Sequence, residues 1–165
     1  MFRIDAKNLC WVNGDSDNAA DLCLHGDVTV QIGSETFEHY GTVSATGLFL
    51  LRTLTENHIA GSYFMLPCCG HFLIACDELD SVEIAGCLNG VNFFVEHVND
   101  HIKITSQSGC MVYVSMSDYA KDVFKFADKI EEYYKKCSPK NLNLCDKFDR
   151  NGYIAFWNEW KRLRR

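Results

Sequence analysis

The sequence predicts an α+β protein in which two antiparallel β-meanders are each followed by a helix, with a further helix at the C-terminus. Three observations favour this class. Short segments that alternate between apolar and polar residues recur through residues 8–115, as expected for half-buried strands. Residues 118–136 and 151–164 repeat their apolar residues every three or four positions, as one face of a helix does. A third helical pattern, residues 44–57, separates the two groups of strands.

The first meander is predicted to contain about four strands. They are residues 8–12, 21–25, 28–32 and 35–42. The tripeptide His25-Gly26-Asp27 predicts a hairpin turn, because glycine tolerates the positive φ angles of tight turns. The helix over residues 44–57 follows from Ser44 as a possible cap and from leucines spaced by three at Leu48, Leu51 and Leu54.

The second meander is predicted to contain six strands and to lead into the longest helix. The strands are residues 62–66, 71–76, 81–85, 91–98, 101–105 and 111–115. Ser117 is a candidate N-cap for the helix over residues 118–136, since its hydroxyl can accept from a free amide of the first turn. The apolar face of this helix is predicted to consist of Tyr119, Val123, Phe126, Ala127, Ile130, Tyr133 and Tyr134.

The C-terminal helix is predicted to begin at Asp149, as its N-cap, or at Asn151, and to reach Arg164. Its apolar stripe is predicted to contain Ile154, Trp157 and Leu163, widened by Phe156 and Trp160. The two tryptophans are interpreted as core residues in preference to platforms for base stacking. No Pro- or Gly-rich linker interrupts the chain, so residues 1–165 are predicted to form one domain.

Composition predicts a cytoplasmic protein that does not interact with membranes. The N-terminal residues lack the apolar core of a secretory signal, and no apolar run approaches the roughly 18–20 residues needed to span a bilayer. The nine cysteines are an odd number without paired spacing. In the reducing cytosol such residues behave as small buried hydrophobes, so a disulfide framework is not expected.

The acidic and basic residues are distributed unevenly. Residues 1–100 contain 14 acidic and 3 basic side chains, a balance of −11, whereas residues 101–165 contain 8 acidic and 13 basic ones, a balance of +5. Nucleic-acid binding needs Lys and Arg along the path of the phosphates, and the strand-rich part has almost none. An acidic surface instead attracts basic proteins and raises their association rate. We therefore expect a protein partner and no nucleic acid.

Two patterns suggest metal ligands, but neither is complete. The segment Pro67-Cys68-Cys69-Gly70-His71, with Cys76 beyond it, contains zinc-type ligands without any C-x₂-C pair, and adjacent cysteines on a strand point to opposite faces. Asp15, Asp17 and Asp21 begin like a calcium loop, but Ala20 and Gly26 occupy the positions that need Gly and a bidentate Glu. The sequence therefore predicts no metal or cofactor.

No linear motif of a known catalytic class is present. The chain lacks a P-loop, G-x-G-x-x-G, G-x-S-x-G and H-E-x-x-H. A dispersed cysteine or zinc-dependent active site leaves no such motif and stays an alternative, but we expect a protein that is not an enzyme. The most acidic segment is CDELDSVE, whose Asp77, Glu78, Asp80 and Glu83 are the candidate docking charges. Asp15 and Asp17 form a weaker second candidate patch.

The order of strands and helices resembles the Whirly-type architecture of two curled antiparallel sheets packed with helices. Whirly proteins bind single-stranded nucleic acid through a short Lys-rich motif that this chain lacks, so such binding is an alternative only. The stretches 47–57, 66–87 and 148–160 resemble immunity proteins of bacterial contact-dependent growth-inhibition systems. This resemblance implies a cytoplasmic protein that binds a cognate toxin domain, an EndoU-like RNase, and occludes its active site. It carries over no contact residues.

Overall fold

The computed structural model describes residues 1–12, 17–70 and 72–165. Its strands are β1 (Phe2–Trp11), β2 (Leu24–Ile32), β3 (Glu35–Thr42), β4 (Leu66–Pro67), β5 (Phe72–Ala75), β6 (Val82–Ala85), β7 (Gly90–Val91), β8 (Phe93–Val98), β9 (His101–Ser106) and β10 (Met111–Ser115). Its helices are α1 (Val43–Arg52), α2 (Met116–Lys136) and α3 (Lys147–Leu163), with a 3₁₀ turn at Leu142–Leu144. Helices and strands each form about a third of the chain, so the predicted α+β class is confirmed.

Two three-stranded antiparallel meanders form the main sheets. Strands β1, β2 and β3 lie in that order, and β8, β9 and β10 form the second sheet in the same up-and-down manner. The first sheet leads directly into α1 and the second directly into α2, as predicted. Two smaller antiparallel pairs, β4 with β7 and β5 with β6, connect these halves.

The predicted turn at residues 25–27 is wrong, because β2 runs through it without interruption. Gly26 lies opposite a bulge in β1, where the register shifts between Lys7 and Cys10 and Asn8 adopts a positive φ of 50°. A Cβ at position 26 would meet the Lys7 carbonyl oxygen at 2.8 Å. Glycine is therefore needed here because β1 and β2 approach too closely to leave room for a Cβ, and not because the chain turns.

Asn92 divides the predicted strand 91–98 into β7 and β8. Its side-chain oxygen accepts from the backbone amides of Met65 and Phe93, at 3.0 and 3.1 Å, and from the His58 ring at 2.8 Å. Most of the predicted strand 62–66 is correspondingly irregular, with only Leu66–Pro67 paired. A buried side-chain amide here replaces the bonds that a neighbouring strand would supply.

Helix α1 lies in the centre of the protein. Every residue from Val43 to Leu51 is buried, and the helix contacts α2, α3, β2 and β4. A Cβ on Gly47 would meet Ile130 and Trp160 at 2.6 Å, so this glycine lets α2 and α3 pack closely against α1. The helix ends at Arg52 instead of the predicted Asn57; Thr53 then donates to the Leu50 carbonyl and bonds the Tyr119 hydroxyl.

Helices α2 and α3 both begin earlier than predicted. Ser115 caps α2 by accepting from the Asp118 amide at 3.1 Å, and Asp146 caps α3 by accepting from the Asp149 amide at 2.9 Å. The predicted caps Ser117 and Asp149 are therefore wrong. The predicted apolar face of α2 is confirmed: its buried members are Tyr119, Val123, Phe126, Ala127 and Ile130.

The buried stripe of α3 is rotated from the predicted one. Gly152, Ala155, Phe156, Glu159 and Trp160 are the buried residues of this helix, while Ile154, Trp157 and Leu163 are only half-buried. Trp160 is almost fully buried and donates to Glu131 at 2.8 Å, which confirms its interpretation as a core residue. Across the described part of the chain, no helix combines the length and apolar character needed to cross a membrane.

The buried His58 predicts a pH-dependent stability. Its Nε2 donates to Asn92, its Nδ1 has no partner among the described residues, and its ring packs against Tyr63 and Phe94. Burial lowers the pKa of His58 from 6.5 despite the Asn92 hydrogen bond. The unfolded chain therefore binds more protons below pH 6.5, so stability is complete above that pH and falls as the pH decreases further.

We expect urea unfolding to show a free energy of unfolding that is steady well above pH 6.5 and decreases as the pH falls below 6.5. The His58→Gln variant removes the titrating ring and is expected to show a shallower dependence. Some dependence should persist, because burial also lowers the pKa of His39. An equally steep profile in the variant would contradict the assignment.

Candidate functional site

The β5–β6 hairpin, residues 72–85, presents all four of the candidate docking charges. Asp77, Glu78 and Asp80 lie in the turn between the strands, Glu83 lies on β6, and all four are exposed. Asp80 accepts a hydrogen bond from the Cys76 thiol at 3.1 Å, which lowers the pKa of this carboxyl. Three of the four carboxylates therefore lie in the turn and the fourth follows on β6; we call residues 72–85 the acidic hairpin.

The outer face of the acidic hairpin also carries apolar side chains. Phe72 is 61% exposed and Ile74 39% exposed, whereas Leu73 between them is buried. In the antiparallel register Phe72 lies opposite Ala85, and Ile74 lies opposite Glu83. A shallow cleft of about 430 Å³ follows this ribbon beside Ile74 and Glu83. An aromatic and an aliphatic side chain bordered by carboxylates are typical of a protein-binding surface.

The inner face of the acidic hairpin is fixed to α3. Leu73 and Val82 are buried, and Asn158 donates to the Leu79 carbonyl at 2.8 Å. Glu159 accepts from the Val82 amide at 2.9 Å and forms an ion pair with Arg52 at the end of α1. These contacts hold the ribbon in one position, so its outer face is presented on a rigid support.

Gly152 allows the backbone of β5 to lie directly on α3. A Cβ at this position would meet the Leu73 carbonyl oxygen at 2.0 Å and the Leu73 Cβ at 2.6 Å. We expect Gly152→Ala to lower the free energy of unfolding by about 1–3 kcal/mol, the usual cost of overpacking. Chemical denaturation measures this change. Lys125→Ala, at an exposed position of α2 outside this contact, is the control and is expected to change the free energy of unfolding by less than about 0.5 kcal/mol.

The second candidate patch, Asp15 and Asp17, is not presented for docking as the acidic hairpin is. Asp17 uses both carboxylate oxygens internally: one accepts from the Ser138 amide at 2.8 Å and the other from the Ser138 hydroxyl at 2.6 Å. The hydroxyl bond and then the amide bond lower the pKa of Asp17. Through these two hydrogen bonds Asp17 stabilises the segment that follows α2. Asp15 lies outside the described residues.

The outward face of the first sheet does not have the charge distribution of a nucleic-acid-binding surface. Along β1 the outward residues Arg3 and Lys7 alternate with Asp5, and Lys7 is paired across the strands with Asp27. Asp5 forms an ion pair with Lys129 at 2.8 Å. Strand β3 adds Glu38 on the same side. This face mixes both signs of charge and lacks the continuous basic path that phosphates need.

The structure places Cys87 beside Cys68 and Cys69, two cysteines that the sequence groups instead with His71 and Cys76. The Sγ atoms of Cys68, Cys69 and Cys87 lie within 4.8 Å of one another, and those of Cys68 and Cys87 are 2.9 Å apart. The prediction that Cys68 and Cys69 point to opposite faces is wrong, because the chain bends at Cys68, just after β4 ends at Pro67. We call these residues the thiol cluster; His71 lies outside the described residues, and the other sequence candidate, Cys76, bonds Asp80 instead.

The thiols of this cluster differ in pKa. Hydrogen bonding from the Cys68 thiol, followed by that from Cys69, lowers the pKa of Cys87 to about 7. The same contact with Cys87 raises the pKa of Cys68 to about 11. A thiolate is therefore favoured at the exposed Cys87, the most accessible of the three.

Sequence reasoning found the carboxylates but missed Phe72, Ile74 and Cys87. The run FLIA is apolar throughout, so a strand buried on both faces and a strand exposed on one face look the same. Cys87 follows the segment EIAG, a context that predicts a buried residue, whereas the structure exposes it. Only the pairing of β4 with β7 brings its segment beside Cys68.

No protein-family model, curated protein or solved structure matches this chain. The resemblance to immunity proteins and to the Whirly architecture stays a prediction.

Proposed function

We propose that this protein is a cytoplasmic immunity protein that binds and neutralises the nuclease toxin domain of a contact-dependent growth-inhibition system. The toxin is an EndoU-like RNase, and the acidic hairpin covers its active site. The observation that carries the proposal is the exposed surface of that hairpin: Phe72 and Ile74 lie exposed on its outer face, Glu83 lies opposite Ile74, and the other three carboxylates are exposed in its turn. The sequence resemblance described above supplies the class of partner.

The chemistry of an RNase explains why this surface suits it. An RNase has to attract phosphate, so the rim of its active site is positively charged. Carboxylates on the inhibitor accelerate the encounter with such a surface and orient it. Affinity then comes mainly from a few desolvated anchors, among which aromatic side chains are over-represented. Phe72 is positioned to be such an anchor.

The direct test is complex formation with the toxin domain encoded immediately upstream. We expect a tight complex that abolishes RNase activity and that associates more slowly at physiological than at low salt, because counterions screen exposed charges. The folded protein mixed with that toxin at both salt concentrations provides the measurement. A folded protein that neither binds the toxin nor inhibits it would refute the pairing.

Phe72→Ala tests the anchor separately from the charges. We expect the substitution to weaken toxin binding by about 2 kcal/mol, or roughly 30-fold, as truncation of a hot-spot residue does. Because Phe72 is mostly exposed, the melting temperature should change little. Tyr113→Ala is the matched control, since Tyr113 is 56% exposed on β10. Equal losses of affinity in the two variants would argue against Phe72 as an anchor.

A further inference from the structure

We propose that Cys68, Cys69 and Cys87 form a binding site for a thiophilic cation, with Zn²⁺ as its ligand. This inference is independent of the proposed toxin binding and departs from the expectation of no metal site. It rests on the meeting of three thiols from two separate chain segments. Cysteine sulfur is a preferred ligand of zinc.

The spacing of the thiols suits a shared ion. With Zn–S bonds of about 2.3 Å, the sulfur atoms of a tetrahedral site lie about 3.8 Å apart. The three Sγ atoms here lie within 4.8 Å of one another. Cys68 and Cys87, at 2.9 Å, have to separate by about 1 Å, which small side-chain rotations accommodate. Zinc displaces the thiol protons to the solvent, and water completes the fourth position.

The backbone holds the two segments in place without the ion. Leu66 pairs with Val91, Pro67 pairs with Gly90, and the Cys68 amide donates to the Asn89 carbonyl at 3.1 Å. A Cβ on Gly86 would meet the Cys69 carbonyl oxygen at 2.1 Å, so glycine is needed where the segments touch. The cluster is therefore organised by the fold and not by a chance approach of flexible side chains.

The surroundings support a thiolate–metal site in two further ways. The Cys87 amide donates to the Cys69 sulfur at 2.9 Å, and hydrogen bonds of this kind orient ligands and tune the metal. Cys87 is exposed while Cys68 and Cys69 are half-buried, so an ion can reach the sulfur atoms from solvent. A cleft of about 300 Å³, lined in part by Cys69 and Cys87, gives the ion room to approach.

The test uses the full chain, reduced and stripped with a chelator. Titration with Co²⁺, a spectroscopic substitute for zinc, is expected to produce thiolate-to-cobalt charge-transfer absorption with an intensity that corresponds to three thiolates. Zn²⁺ should displace the cobalt at one ion per chain and raise the melting temperature, since a ligand that binds only the folded state stabilises it. Absence of this absorption from the reduced, folded protein would overturn the proposal.

Single variants Cys68→Ser, Cys69→Ser and Cys87→Ser assign the ligands. Because loss of an outer-shell partner alone costs about 10–100-fold in affinity, we expect loss of a ligand to cost at least about 100-fold. Cys145→Ser is the matched control, a half-buried cysteine outside the cluster, and should bind as the wild type does. Unchanged zinc affinity in the three cluster variants would overturn the assignment. The proposal would also be overturned if Cys68 and Cys87 form a disulfide on oxidation while the reduced protein binds no zinc.

Discussion

Glu159→Ala is expected to lower the free energy of unfolding by about 3–5 kcal/mol, the usual cost of breaking a buried ion pair from one side. Glu159 is 4% exposed. Its two oxygens accept from Arg52 at 2.8 and 2.9 Å, and one of them also accepts from the Val82 amide. The substitution leaves the half-buried guanidinium without its counter-charge and the Val82 amide without its acceptor. Urea denaturation followed by far-ultraviolet circular dichroism measures the effect.

Two controls separate the buried pair from charge in general. Glu132→Ala removes a carboxylate that is 3.6 Å from Lys136 on the exposed side of α2 and is expected to cost less than about 1 kcal/mol. Replacing Arg52 and Glu159 together with methionine should cost less than Glu159→Ala, because no buried charge is left alone. A Glu159→Ala variant as stable as Glu132→Ala would contradict the proposed importance of the pair.

If the proposed toxin is the partner, the double substitution Asp77→Lys with Glu78→Lys is expected to slow their association by about 10-fold or more at low salt, within the range that electrostatic steering covers. Both carboxylates are exposed at the tip of the acidic hairpin. Reversal of their charge places repulsion where the basic active-site rim approaches. The association rate should also become less dependent on salt. Stopped-flow binding over a series of salt concentrations provides the measurement.

The matched control for this variant keeps the same change in net charge. Glu56→Lys with Glu132→Lys also replaces two exposed acidic side chains, but on other parts of the surface. We expect its association rate to stay much closer to that of the wild type. If both double variants slow association equally, net charge and not the acidic hairpin determines the rate.

The long helix α2 was predictable because local pattern and tertiary packing agree there. Its apolar residues lie on one face, and that face is buried against the rest of the protein. The caps were misplaced by two or three residues: Ser115 and Asp146 are used, whereas Ser117 and Asp149 were expected. Several residues near each helix start can cap, and the direction from which the chain arrives selects among them.

In the candidate sites, too, local sequence predicted some features and tertiary packing decided the others. The four carboxylates of residues 77–83 were visible as a local charge cluster. The exposure of Phe72 was not, because it depends on which side of β5 packs against α3. Cys87 joins Cys68 only through the pairing of β4 with β7, a contact between segments about 20 residues apart that spacing rules do not detect.

The sequence by itself determined the α+β class, the order of the two meanders and their helices, and the acidic character of one hairpin. These properties depend on periodicity and charge, which are local. The tertiary structure alone decided that α1 is the buried centre, that Gly26 lies opposite a bulge, and that three thiols meet. Each of these features depends on contacts between segments that are distant in sequence. Such contacts are decided by close packing of the whole chain, which local sequence patterns do not contain.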